Sequence, residues 1–300
     1  MPNLPTRLLA AFAADPSGGN IGGVVYEDEL LDPQERQQIA ADLAVSTTGF
    51  VRDAGNGVYN VHFHSSVAEM AMCGHVTLAI FAALQMDGQI ISGTYEQRTS
   101  AGDLTIEVAD DGTVYMFQPR PVFGAISVKS SDVAALIGLL DGSIREVASS
   151  STALQHLFIE VSDKDALRSL ELDDAGLHAF SQSHGIDTIG VWSLISTGKG
   201  TAEIHLRDLC HGVGDPEEAA SGTTNGALAS HLWNSKRVKP DSTGKIKVTG
   251  WQGFEMGRPS RIDTVLRVGD QGVEEVRVGG TAELRLTGSY CLARRREANI

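Results

Sequence analysis

The stretch EMAMCGHVTLAIFAAL, Glu69 to Leu84, decides how the chain is read. An alternating segment gives way here to an Ala/Leu/Ile run, and a thiol, a glycine and an imidazole (Cys73, Gly74 and His75) stand at the joint. The run HVTLAIFAALQMDG predicts a helix of small and branched residues ended at Gly88. It has almost no polar face, so the helix is expected to be buried. A second stretch, SGTTNGALASHL from Ser221, has the same order: a small nucleophile-type side chain, a glycine, then polar residues opening a small-residue helix. It begins 148 positions after Cys73, close to half of the 300 residues. That spacing predicts two similar halves, each a curved sheet around a central helix.

Outward from the first joint, GVYNVHFHSS alternates as a strand, with Tyr59, Val61 and Phe63 on one face and Asn60, His62 and His64 on the other. DPQERQQIAADLA carries helix-start signals: Asp32 as N-cap, Pro33 at the first helical position and Glu35 three residues after the cap. RLLAAFAADP faintly resembles a signal peptide but is short for one; it is expected to be a first strand ending at Asp15-Pro16. The residues around Asp110-Asp111-Gly112 predict a hairpin. Beyond Pro119 and Pro121 the alternation begins again. SSDVAALIGLL and DDAGLHAFSQSHG are expected helices, LFIEVSD, TIGVWSLIS and TAEIHLRDL expected strands, and the segment from Lys245 is β-rich.

A chain with 42% hydrophobic residues and a net charge of −14 can bury a large core and is a poor partner for nucleic acid or an anionic membrane. No apolar run approaches the roughly 18 residues of a membrane span. Three cysteines, Cys73, Cys210 and Cys291, are an odd number in a large chain. They argue against a disulfide framework and for a reducing, cytoplasmic setting.

The first turn of a helix has unpaired amides and the positive end of the dipole. Two such ends aimed at one cleft would make a carboxylate site needing neither metal nor Lys/Arg. The same field favours a Cys73 thiolate, whose ordinary pKa is about 8.5, as base or nucleophile. His75 can take and return a proton near neutral pH, and Gly74 and Gly222 allow close approach of a ligand. The same residues also have plain readings: Cys73 as a small core residue, His75, Ser221 and Thr223 as helix caps. His62, His64, Cys73 and His75 fall close together, but no ligand pattern completes them, so no metal is expected. Arg258 in MGRPS reads as a turn residue in preference to a partner for an acidic substrate, His211 has no motif support, and GGNIGG lacks the spacing of a phosphate loop.

The strings AFAADPSGGNIGGVV, VSTTGFV, MCGHVTLA, DPEEAASGTTNGALASHLW, QGFEMGRPSRI and VRVGGTAEL together resemble the phenazine-biosynthesis PhzF-like family of the diaminopimelate-epimerase and proline-racemase fold superfamily. The resemblance spans nearly the whole chain. It implies an α/β (α+β) fold of two pseudo-symmetric domains, each a barrel-like, mostly antiparallel sheet around a central helix. The domains are expected at 1–119 plus about 284–300 and at 120–283, with the active site in the cleft between them. It further implies cofactor-free proton transfer on a small carboxylate substrate, often in a homodimer.

The same resemblance assigns positions. The family's catalytic glutamate, in S-E-T-x-F-V, falls on Thr47 of Ser46-Thr47-Thr48, so the carboxylate is replaced by a hydroxyl that cannot act as a general base near pH 7. The family histidine is His75; its aspartate falls on Glu218 and its serine on Thr223. Cys73, His75, Glu218 and Thr47 are the expected catalytic positions, with Cys73 the suspected base ahead of Glu69 or Glu218. Gly74, Ser221, Gly222, Thr223, Asn20 and Ser46 are expected to bind substrate. MCGH is also similar to the racemase string whose cysteine is one of two thiol bases, but the partner position here is Ser221. An epimerase or dehydratase using Cys73 with Ser221, and a non-catalytic binding homologue, are the alternatives.

Overall fold

The computed structural model describes residues 3–292. The chain runs β1 (Asn3–Ala11), β2 (Asn20–Tyr26), α1 (Pro33–Leu43), β3 (Thr47–Gly55), β4 (Val58–His64), β5 (Glu69–Met70), α2 (Gly74–Met86), β6 (Gly93–Thr99), β7 (Gly102–Val108) and β8 (Val114–Gln118). It continues with β9 (Val122–Phe123), α3 (Ser130–Ala134), β10 (Ile144–Ser151), β11 (Gln155–Val161), α4 (Lys164–Arg168), α5 (Asp174–His184), β12 (Thr188–Gly198) and β13 (Thr201–Leu209). Last come α6 (Gly222–Asn234), β14 (Lys245–Gln252), β15 (Ser260–Gly269), β16 (Gly272–Gly280) and β17 (Ala282–Cys291). Two compact units result. One holds Asn20–Met116 with the described residues up to Ala11 and from Thr281; the other holds Phe12–Gly19 and Phe117–Gly280.

In the first unit β1 lies antiparallel to β2 and β17, and β2 is parallel to β3 across α1. Strand β3 is antiparallel to β4, β4 is parallel to β6 across α2, and β6, β7 and β8 continue antiparallel. The second unit repeats this succession. Strand β10 is antiparallel to β11, β11 parallel to β12 across α4 and α5, and β12 antiparallel to β13. Strand β13 is parallel to β14 across α6, and β15 and β16 follow antiparallel. The fold is therefore mixed α+β with mostly antiparallel pairing.

The helices form for local reasons that the packing then exploits. Helix α1 has a full capping box: Asp32 accepts from the Glu35 amide at 2.8 Å and Glu35 accepts from the Asp32 amide at 3.1 Å. Helix α2 buries every residue from His75 to Leu84, as its lack of a polar face requires. It packs on β1, β2, β3 and β17. Close approach depends on two missing side chains: a Cβ on Gly22 would stand 2.8 Å from Val76 Cγ2, and one on Gly49 would stand 2.7 Å from Ile80 Cδ1 and Val76 Cγ1. Helix α6 packs likewise on β10, β11, β15 and β16 of its own unit.

Two expectations needed correction. Strand β1 stops at Ala11 rather than at Asp15-Pro16, because Phe12 turns into the left-handed region at φ 63°. SSDVAALIGLL is not one helix; the five residues of α3 tighten into a 3₁₀ turn, Ala135–Ile137, closed by Gly138 at φ 70°. On β4, His64 is in the same strand phase as Asn60 and His62 but is more deeply buried than they are. Its ring is buried, donates from Nδ1 to Gln37 Oε1 at 3.0 Å, and meets Phe50 edge-on. Among the described residues no helix is long and apolar enough to cross a membrane.

Candidate functional site

In the first unit the residues at the start of α2 form a small network. Cys73 is the N-cap, in extended backbone (φ −146°, ψ 113°), and its side chain makes no capping hydrogen bond. His75, one turn-position further, is buried between the start of β2 and the residue before β3. Asn20 Nδ2 faces its Nδ1 at 3.2 Å, and Ser46 Oγ faces its Nε2 at 3.3 Å.

These partners assign the tautomer. The Ser46 hydroxyl donates to the Ile21 carbonyl at 3.0 Å, so its lone pairs remain for an N–H at Nε2. The Asn20 amide nitrogen can only donate, so Nδ1 is the accepting nitrogen. Cys73 Sγ lies 3.4 Å from that Nδ1 and 3.9 Å from Nε2. The near-equal distances set the sulfur against the face of the ring rather than in line with the Nδ1 lone pair, which Asn20 occupies.

Gly74 meets little: an added Cβ would touch only Met116 Cε, at 3.7 Å, so packing does not demand a glycine there. Thr47 is buried and donates from Oγ1 to Met70 Sδ at 3.6 Å, while its neighbour Ser46 contacts the imidazole. A cavity of about 530 Å³ elsewhere in this unit is lined by Pro5, Arg7, Tyr26, Glu27, Arg52 and Asp87 among others; none of the candidate residues lines it.

In the second unit Ser221 is the N-cap of α6, again extended (φ −126°, ψ 115°), but here the hydroxyl accepts from the Thr224 amide at 3.4 Å. Thr223 Oγ1 lies 3.2 Å from Ser221 Oγ, and Thr224 Oγ1 lies 2.9 Å from it. Gln252 accepts from the Ser221 amide at 3.3 Å and from Asn225 Nδ2 at 3.0 Å, and donates to the Glu218 carbonyl at 2.7 Å. Glu218 is held by its backbone, its amide donating to the Asp208 carbonyl at 3.0 Å. Next to it Glu217 receives a bidentate pair from Arg207 at 3.0 and 2.8 Å. Arg258 Nε donates to the Gly19 carbonyl at 3.1 Å, and His211 Nε2 pairs with Asp174 at 2.9 Å.

One group escaped the reading of the sequence. Asp208 is fully buried, and its Oδ2 accepts from Thr224 Oγ1 at 2.7 Å. The signal was present: Ala202, Ile204 and Leu206 occupy one phase of β13, and Asp208 is the next residue in that inward-facing phase. Burial pushes its pKa up to about 6, against the lowering effect of Thr224 and then of Thr188, Ser221 and Cys210. Burial likewise pushes His156 down to about 3 and the Cys210 thiol well up, so both are neutral near pH 7. Among the described residues no cluster of three or more His, Cys, Asp or Glu side chains is arranged to hold a metal ion.

The strand succession and the two matching helix starts place the chain in the fold class of the epimerases and racemases. Its family is the phenazine biosynthesis-like proteins, to which the chain belongs: the model of that family matches residues 9–288. An uncharacterized isomerase of Deinococcus radiodurans is 28% identical over 291 residues, covering 94% of this chain and 93% of that one. The crystal structure of a PhzF-family phenazine biosynthesis protein from Bacillus anthracis superposes with a TM-score of 0.84 at 20% identity, over 97% of this chain and 100% of that one. A probable proline racemase from Agrobacterium radiobacter superposes with a TM-score of 0.60 at 10% identity, over 97% and 93% of the two chains. These structural likenesses concern the fold alone.

Proposed function

We propose that the chain is a PhzF-like isomerase that moves a proton on a small carboxylic acid without a cofactor, with Cys73 in place of the family glutamate as the base. The observation that carries this reading is the position of Cys73 as N-cap of α2, with its Sγ against the His75 ring, 3.4 Å from Nδ1. The Cys73 thiol gives its proton to solvent, and the thiolate forms at the N-cap, where α2's first amides favour negative charge. The thiolate then removes a C–H proton, the electron pair moves into the substrate's π-system, and a proton returns at another atom. Atoms and electrons balance with no oxidant or reductant. Ser221, Gly222 and Thr223 at the start of α6 bind a substrate carboxylate, and Glu218 helps to position protons. Thr47 shapes the pocket rather than moving a proton, as its bond to Met70 suits. The reading takes the enzyme as a cytoplasmic homodimer; none of the three cysteines is in a disulfide, as a reducing compartment requires.

A second reading, an epimerase or dehydratase of an amino or hydroxy acid, draws on the same thiol with the Ser221 hydroxyl. Proton exchange in D₂O over a panel of carboxylic acids, followed by NMR, separates the two. Conversion to a new isomer supports the first, exchange without net conversion the second. Binding with neither outcome refutes both in favour of a non-catalytic homologue. Cys73→Ala is expected to slow exchange by about 10²–10⁴-fold; exchange that survives it undiminished excludes Cys73 as the base.

A further inference from the structure

A buried carboxyl at the end of a chain of hydroxyls determines which way those hydroxyls point. Asp208 Oδ2, Thr224 Oγ1, Ser221 Oγ and Thr223 Oγ1 follow one another at 2.7, 2.9 and 3.2 Å. The inner end is wholly buried, whereas Ser221 and Thr223 are half-buried at the outer end, at the start of a 13-residue helix. Asp208 Oδ1 is buried with no hydrogen-bond partner, so a proton there would find no acceptor; an acid proton is satisfied only on Oδ2, facing Thr224.

We propose that Asp208 is a positioning residue whose protonation reverses this hydroxyl chain, so that the start of α6 takes up one proton when it binds a carboxylate. The proposal rests on the reading of Ser221, Gly222 and Thr223 as the carboxylate-binding end.

With Asp208 ionised, Thr224 must donate to it. Ser221 then donates to Thr224, Thr223 donates to Ser221, and the outer end offers only lone pairs. Such an end repels an anion and suits an ammonium or hydroxyl donor. With Asp208 protonated, the carboxylic acid donates to Thr224 and every hydroxyl turns over. The Thr223 hydrogen then points outward beside the amides of α6, where an anion is favoured. A carboxylate ligand therefore prefers the protonated form, and by linkage its binding raises the affinity of Asp208 for its proton.

The surroundings leave Asp208 as the titrating member. On β12, Thr188 stands beside the carboxyl and bonds His156 Nδ1 of β11 at 2.7 Å, but His156 is held neutral with its pKa near 3. Cys210, two residues on, donates to the Asp208 backbone carbonyl at 3.4 Å and stays a thiol, because burial and the acids Asp208, Glu218 and Asp215 push it up. Arg207, the preceding residue, is engaged by Glu217, and Glu218 pairs with Asp208 through its backbone.

The test uses full-length ¹³C/¹⁵N-labelled protein and formate, which stays ionised from pH 5 to 8, at constant ionic strength. The amide shifts of Gly222, Thr223 and Thr224 read binding at this end alone. With Asp208 titrating near 6, formate affinity is expected to weaken on the order of 50- to 100-fold between pH 5 and 8. In Asp208→Asn, a neutral amide, the dependence should shrink to within about threefold. Should that variant fold poorly, the side-chain carboxyl ¹³C signal of Asp208 in the unaltered protein decides: formate must raise its titration midpoint. A pH-independent affinity, an unmoved midpoint, or the absence of formate shifts at these amides at pH 5 overturns the proposal. Loss of exchange chemistry at Cys73 would leave this result standing, so the two failures are distinguishable.

Discussion

Replacing Asp208 by asparagine should make the second unit more stable at alkaline pH, an unusual result for the removal of a fully buried, hydrogen-bonded side chain. Its pKa rises from the ordinary 3.8 to about 6 in the fold because burial disfavours the ion. A carboxyl raised on folding contributes stability below about pH 4, and that contribution is lost as pH rises through 6. The distance between the two values corresponds to about 3 kcal/mol, of which roughly 2 to 2.5 falls between pH 4 and pH 8. His156 works in the opposite sense: with its pKa lowered to about 3, it weakens the fold as acid protonates the unfolded chain below pH 6.5. Parent and variant must therefore be compared at each pH, where the His156 contribution cancels. All three tryptophans, Trp192, Trp233 and Trp251, lie in this unit, so urea unfolding followed by their fluorescence reads it directly. The stability difference should shift toward Asp208→Asn by about 2 kcal/mol from pH 4 to pH 8. A difference constant across that range would mean that Thr224, Thr188 and Ser221 fully compensate the buried charge, and the reasoning fails.

Three other substitutions test separate features. Glu27 and Arg36 form a buried bidentate pair at 2.6 and 3.1 Å, so Arg36→Ala should destabilise the first unit by about 3–5 kcal/mol in chemical unfolding, while Glu27→Leu with Arg36→Met should recover most of the loss. Gly49→Ala puts a methyl 2.7 Å from Ile80 and Val76 and should cost about 1–3 kcal/mol by the same assay; a neutral result means that α2 can back away from β3. Asn20→Ala should leave His75 folded in place but release its tautomer, so that long-range ¹H–¹⁵N spectra, expected to show a single Nε2–H form in the parent, should show a mixture in the variant.

The repeat at residues 73 and 221 made the main architecture legible, because a small-residue helix buried on all sides must be enclosed, and the segments flanking both copies alternate as strands. Both helices are 13 residues long and both N-caps are extended. Short elements were less visible. Five residues of α4 and the two-residue β5 and β9 carry too little pattern to register. The site was legible as residue types but not as contacts. That Ser46 rather than Thr47 meets the imidazole depends on where β3 begins, which one residue of register decides. Asp208 could have been found by its phase, but one acid in an apolar strand phase does not reveal the hydroxyl waiting one helix turn into α6.

The two helix starts share a backbone and differ in how they cap themselves, and that difference can be turned into a measurement. Ser221 accepts from the Thr224 amide, whereas the Cys73 side chain makes no capping hydrogen bond to α2. Cys73→Ser offers α2 a good N-cap, worth about 0.5–2 kcal/mol against a residue that does not cap, and removes little volume. If the thiol were kept for packing or helix stability, the serine variant should be the weaker protein. If it is kept for chemistry, Cys73→Ser should match or exceed the parent in thermal stability while losing proton exchange, since an alcohol beside a neutral imidazole is a far poorer source of an anion than a thiol. A serine variant that unfolds several degrees earlier yet exchanges protons as well as the parent would return Cys73 to the core and remove it from the mechanism.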